Sequence, residues 1–168
     1  MNNTQSPLII GLVTTEYVSE QNFDGGLSNY LHRVALSLKQ LGHQPIIMVI
    51  SNKNEVIDYE GIEVHRIKNW GTFLRKSLDV LTLGQFTLPL RESWIGFFLN
   101  QRIEKINKTK NFAIIHYPSC AGLGLFRLKT LPVVVRISSY IPLWNQAYEL
   151  NPNLNIRLSE KLEDIAYT

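Results

Sequence analysis

Along the 168 residues, short apolar runs alternate with stretches in which apolar positions recur every three or four residues. Leu8 to Thr14 reads LIIGLVT, a β-branched run that fits a parallel strand buried on both faces. A polar loop follows, through Phe23. Leu27, Leu31, Val34, Leu38 and Leu41 then fall at helical spacing, with Ala35 on the same face. Asp24 and two glycines stand at the start of this helix, and Gly42 stands where a left-handed residue ends one. Pro45 to Ile50 (PIIMVI) predicts a second buried strand. Val56–Tyr59 and Ile62–Ile67 flank Glu60-Gly61 and predict a short hairpin or two edge strands.

Further on the pattern loosens. Asn69 to Leu90 is rich in Leu, Phe and Trp, with Gly71, Gly84 and Pro89 as breaks. The periodicity predicts a helix from Ser93 to Ile106, ending near Asn107, and a strand over Ala113–His116. Ser119–Leu128 is interrupted by glycine and predicts a short helix or turn; Pro132–Ile137 (PVVVRI) predicts a strand, and Asn155–Ala166 a final helix. Strands alternating with helices argue for one Rossmann-like, doubly wound α/β domain, its mostly parallel sheet covered by helices on both faces. No strand follows the last helix, EKLEDIAYT. A doubly wound sheet would use such a helix to return, so a C-terminal truncation is expected.

Composition narrows the partners. The net charge of +3 is spread thinly, and no run of Lys and Arg interleaves with aromatics, which argues against nucleic acid. Cys120 is the only cysteine, so there is no intrachain disulfide and no cysteine-based metal cluster; as a lone thiol it reads as a buried small hydrophobe. No two histidines have the i, i+4 spacing of a metal site, and no metal is expected. The start carries no basic leader, and the longest apolar stretch, Val80–Leu90, is broken by Gln85 and Pro89. A cytoplasmic protein is expected, with peripheral membrane contact compatible.

Four segments carry candidate chemistry. Gly25-Gly26 at the mouth of the first helix lets a ligand approach the backbone, and the free N–H groups of a helix start favour phosphate. The plain alternative is a tight turn. A dinucleotide fingerprint is missing, because Gly11 lies inside the strand and the second strand ends in Ser51-Asn52-Lys53-Asn54 without an acid. His116, at the end of a strand, is placed to bind a sugar hydroxyl or move a proton, or else is a satisfied histidine under a loop. Arg136 is placed to pair with phosphate or to make a structural ion pair; Glu16 and Tyr17 complete the expected rim. Trp70, Phe73, Phe86, Trp94, Phe97 and Phe98, beside Arg75, Lys76 and Arg91, suit either a lipid surface or cover for the sheet, and cover is favoured.

The stretch DGGLSNYLHRVALSLKQLGHQPIIMVI, with IEVHRI, NFAIIHYPS and LPVVVRIS, resembles the N-terminal domain of glycosyltransferase family 4. The resemblance implies a GT-B enzyme: two Rossmann-like domains facing across a cleft, with transfer from a nucleotide-sugar donor and no metal. The acceptor, a glycan or lipid-linked molecule of cell-surface polysaccharide or glycolipid synthesis, would bind mainly to the N-terminal half. The resemblance also brings Gly25 and Gly26 near the donor's phosphates. Two departures stand out. Where many members have His-x-His, this chain has His116 and Pro118; where the family often has a histidine after the fifth strand, it has Ser138. The family's basic pair and Glu-x7-Glu motif lie in a C-terminal domain absent from these residues, so the fragment alone is expected to transfer no sugar. An alternative is a non-catalytic α/β module that binds a partner subunit. The resemblance also suggests that Gly25→Val would abolish transfer at little cost in stability.

Overall fold

The computed structural model describes residues 6–21, 25–69, 72–120, 122–137, 140–149 and 153–167. Asp24, Trp70 and Ser138 lie outside the described residues, as do the side chains of Phe73 and Arg75. The elements are β1 (Ile9–Thr14), α1 (Gly26–Gln40), β2 (Gln44–Ser51), β3 (Glu55–Tyr59), β4 (Ile62–Lys68), α2 (Thr72–Leu81), α3 (Thr87–Lys110), β5 (Ile114–Pro118), β6 (Val133–Arg136), α4 (Ile141–Ala147) and α5 (Leu154–Tyr167).

The strands form one sheet in the order β3-β4-β2-β1-β5-β6. All neighbours are parallel except β3 and β4. This is the Rossmann-like arrangement the alternation predicts. Period-two alternation sorts the buried strands onto two faces. Leu12, Ile47, Val49 and Val64 pack with Leu31 and Ala35 of α1. Val13, Ile46, Met48, Ile115 and Tyr117 pack with Ile95, Leu99 and Ile103 of α3.

The predicted stop of α1 is a Schellman cap. Gly42 has φ +84°, its N–H donates to Lys39 O at 3.0 Å, and the His43 N–H donates to Leu38 O at 2.9 Å. The β3–β4 hairpin turns through Glu60 and Gly61, both at positive φ. Of the hairpin's two strands β3 alone lies at an edge of the sheet; β4 lies inside it, paired to β2.

Helix α3 begins at Thr87 instead of Ser93 and runs to Lys110. Pro89 falls in its first turn, where a missing N–H costs no intrahelical bond; the proline that reads as a break belongs to the helix start. Between β5 and β6, residues 122–126 form turns. Buried Asn100 of α3 holds them: its Nδ2 lies 2.9 Å from Leu123 O and 2.8 Å from Leu125 O, and its Oδ1 accepts from Tyr117 Oη at 2.5 Å. Helix α5 packs on α3, where Ser159 Oγ lies 2.7 and 2.8 Å from the two Glu92 carboxylate oxygens. No helix among the described residues is long and apolar enough to cross a membrane.

Candidate functional site

The chain leaves β1 through α1 toward β2 on one side of the sheet and later returns to the other side of β1 as β5. The direction of winding therefore reverses between β1 and β5, and a crevice opens beyond their carboxyl ends. Leu12 marks the seam, paired with Ile47 on one side and His116 on the other.

Helix α1 points its N-terminus at this crevice. Gly25 is the N-cap, with φ 84° and ψ −51°, a conformation that side-chain-bearing residues avoid. The helix starts with the Asn29 N–H donating to Gly25 O at 3.0 Å. Gly25 contributes no side chain to cap the first-turn N–H groups, and no acidic residue occupies that turn, an arrangement in which a helix start favours an anion. Gly26 is exposed, and a Cβ built on it meets nothing within 4 Å. Among the described residues the space above Gly26 is open.

Ser28, two residues on, is fully buried, and its Oγ has no hydrogen-bond partner among the described residues. The sequence reading missed it. The available signal was a polar residue on the buried stripe of Leu31 and Ala35.

His116 faces the α1 side of the sheet, since its neighbours Ile115 and Tyr117 pack on the α3 side. Its Nδ1 is buried and unpartnered among the described residues. Burial, and then the charge of Arg136, push its pKa below the usual histidine value; the ring is neutral at pH 7.

Arg136 pairs with Pro118 in the β5–β6 ladder. Its guanidinium lies 3.9 Å from the ring centre of Tyr30 on α1, a cation–π contact that orients the group without neutralising it. No ion pair to Arg136 occurs among the described residues. Tyr30 is a second residue the sequence reading missed.

The other rim residues divide. Glu16 is half-buried at the end of β1, on a bend fixed by Thr14, whose Oγ1 donates to Glu16 O at 2.7 Å and accepts from the Glu16 N–H at 3.2 Å. Tyr17 is not on the rim. It is fully buried in the α1-side core, its hydroxyl 2.9 Å from His32 Nδ1, and His32 Nε2 is 3.1 Å from Glu60 Oε2. Burial, then the nearby Tyr59 and Glu60, raise the pKa of its phenol. The bend at Thr14 turns the chain so that this position falls inward.

His43 and His65 are structural: His43 Nδ1 accepts from the Leu8 N–H at 3.3 Å, and His65 Nε2 lies 2.5 Å from Glu63 Oε1. Cys120 is half-buried beyond β5, its thiol pushed up by burial and pulled down by a hydrogen bond with Thr15. Among the described residues no group of three His, Cys, Asp or Glu could hold a metal ion.

The fold and the crevice together define a Rossmann-like α/β domain. Among solved structures the chain is similar to sucrose-phosphate synthase from Thermosynechococcus elongatus, a GT-B glycosyltransferase, with a TM-score of 0.58 and 12% identity. The match covers 92% of this chain and 40% of that one. At this identity the likeness is one of fold, and it supports a GT-B-like fold without singling out family 4. No protein-family model and no curated protein matches the sequence.

Proposed function

We propose that this chain is the acceptor-side domain of a family 4-like glycosyltransferase, moving a hexosyl group from a nucleotide-sugar donor to a glycan or lipid-linked acceptor. The observation that carries the reading is the open glycine doublet at the α1 N-terminus, with Arg136 held over Tyr30 of the same helix and His116 on the α1 side of the sheet. Transfer builds negative charge on the leaving nucleoside diphosphate. Oriented N–H groups and a guanidinium with no ion pair among the described residues meet such charge without reorganising, and each donor of this kind is worth about 100- to 1,000-fold in rate. The neutral His116 ring is suited to a hydrogen bond with a sugar hydroxyl, and the orphaned Ser28 hydroxyl adds a further polar group at the helix start.

A second domain, facing the crevice, would hold the rest of the donor, and the setting would be the cytoplasmic face of a membrane where cell-surface polysaccharide or glycolipid is made. The reading frame is expected to continue past Thr168 into a domain with a Glu-x7-Glu pattern. Exposed Leu143 and Trp144 on α4 and Leu154 and Ile165 on α5 favour a second reading, a non-catalytic module that docks a partner subunit; a stop codon after Thr168 would support it.

The test is transfer by the complete reading frame. Gly26→Val puts a branched side chain into the open space above the helix start. It is expected to lower transfer at least about 100-fold with an unchanged melting temperature. Retained transfer would remove the glycine loop from the mechanism.

A further inference from the structure

A cavity of about 620 Å³ opens beyond the ends of β1 and β2, next to Arg66 of β4, and the glycine doublet is not among its lining residues. Thr15, Gln21, Ser51, Asn52 and Lys53 contribute to its lining, and among the described residues Ile50 is the one apolar residue there. Ligand pockets are mostly apolar with a few polar groups. This one has the opposite balance, which suits a ligand that is itself covered in hydrogen-bonding groups.

One wall is built in advance. Glu20 Oε1 accepts from Arg66 Nε at 2.6 Å and from Ser19 Oγ at 3.1 Å, and its Oε2 accepts from Ser51 Oγ at 2.8 Å. Arg66 Nη2 donates to Ser19 O at 2.7 Å, and its Nη1 donates to Glu55. A carboxylate has about four acceptor positions; three on Glu20 are filled, leaving Oε2 capacity for one more donor. Arg66 is committed to two carboxylates, and Lys53 Nζ lies 2.7 Å from Glu55 Oε1. The cations are therefore already neutralised within the protein, and the Glu20 charge repels an incoming anion. What the wall offers is an acceptor for a hydroxyl hydrogen, with the amides of Gln21 and Asn52 as donors and acceptors around it.

We propose that this cavity is a subsite for a neutral, polyhydroxylated ligand, a saccharide unit, separate from the diphosphate position at α1. The assignment rests on the glycosyltransferase reading only in calling that saccharide the acceptor. Among the described residues that line the cavity none is aromatic, so binding there rests on hydrogen bonds exchanged with water and is weak.

The experiment is an amide-resolved NMR titration of the 168-residue chain with methyl α-glucoside, methyl α-galactoside and methyl N-acetyl-glucosaminide, each to 50 mM, and separately with inorganic pyrophosphate. At least one glycoside is expected to shift Thr15, Gln21, Asn52 and Lys53 and leave Gly26–Ser28 unmoved. In the Gln21→Ala/Asn52→Ala variant, which changes two exposed side chains, its affinity is expected to fall at least fivefold. The subsite is overturned if no glycoside moves these amides, if the double variant binds as well as the parent, or if pyrophosphate moves them more than any glycoside does. Pyrophosphate shifts at Gly26 test the other site independently, so each reading can fail alone.

Discussion

Gly25 and Gly26 are adjacent, yet their backbones ask different things of a substitution. Gly25 sits at φ +84°, where a side chain costs about 1–2 kcal/mol and a β-branched one more. Gly25→Val would therefore lose stability along with any activity, contrary to the sequence-based expectation, and its effect on transfer would be ambiguous. Gly26 is helical and open. Gly26→Ala is expected to raise stability by up to about 1 kcal/mol, and a denaturant titration of the two alanine variants should separate them in sign. His116 makes a pH test at the same scale. Its folded pKa is lowered by burial and by Arg136, so it contributes stability above its unfolded value, near 6.5, that is lost as pH falls through that value toward the folded one. His116→Asn is expected to flatten this part of the stability profile between pH 7 and 5.

At the scale of elements, buried side chains decide how helices and loops meet the sheet. Asn100 joins α3 to the turns after β5 and to Tyr117. Asn100→Ala would strand two buried carbonyls and a phenol, and is expected to cost about 3 kcal/mol in chemical unfolding. The α3–α5 contact is polar and strained electrically. Burial, and to a lesser degree the charge of Glu163, hold the Glu92 carboxyl above its usual pKa against the opposing pulls of Ser159 and Arg91. An acid harder to ionise in the folded state loses stability as pH rises, beginning near its unfolded value of 4.5. Glu92→Gln keeps an acceptor for Ser159 and removes the charge. It is expected to raise the neutral-pH melting temperature by about 2–4 °C, the size of a 1 kcal/mol change in a chain this long.

For the molecule as a whole, the sheet was legible because buried parallel strands are runs of Ile, Val and Leu that few other structures tolerate. Helix α1 was legible because its apolar stripe and Gly42 agree. Residues 72–92 were not. There Pro89 reads as a stop although it belongs to a first turn, and α4 has no buried residue to give it a stripe. The crevice was half legible. Gly25, Gly26, His116, Arg136 and Glu16 follow from lying after strands or before a helix. Tyr17 went the other way because one local bend at Thr14 decides which side of the chain faces out. Ser28 and Tyr30 were missed because their roles depend on what α1 packs against, and neighbours across the sheet leave no periodicity in the sequence.

Chemical-shift mapping of the 168-residue chain with inorganic pyrophosphate tests the central claim most directly, since it asks whether the α1 N-terminus takes a diphosphate. The expected result is that the amides of Gly26, Leu27 and Ser28 and the ring of His116 shift together, and that Gly26→Val removes the response while the spectrum stays folded. Shifts confined to other basic surfaces, such as Arg102 and Lys105 of α3, or a response unchanged in Gly26→Val, would contradict it.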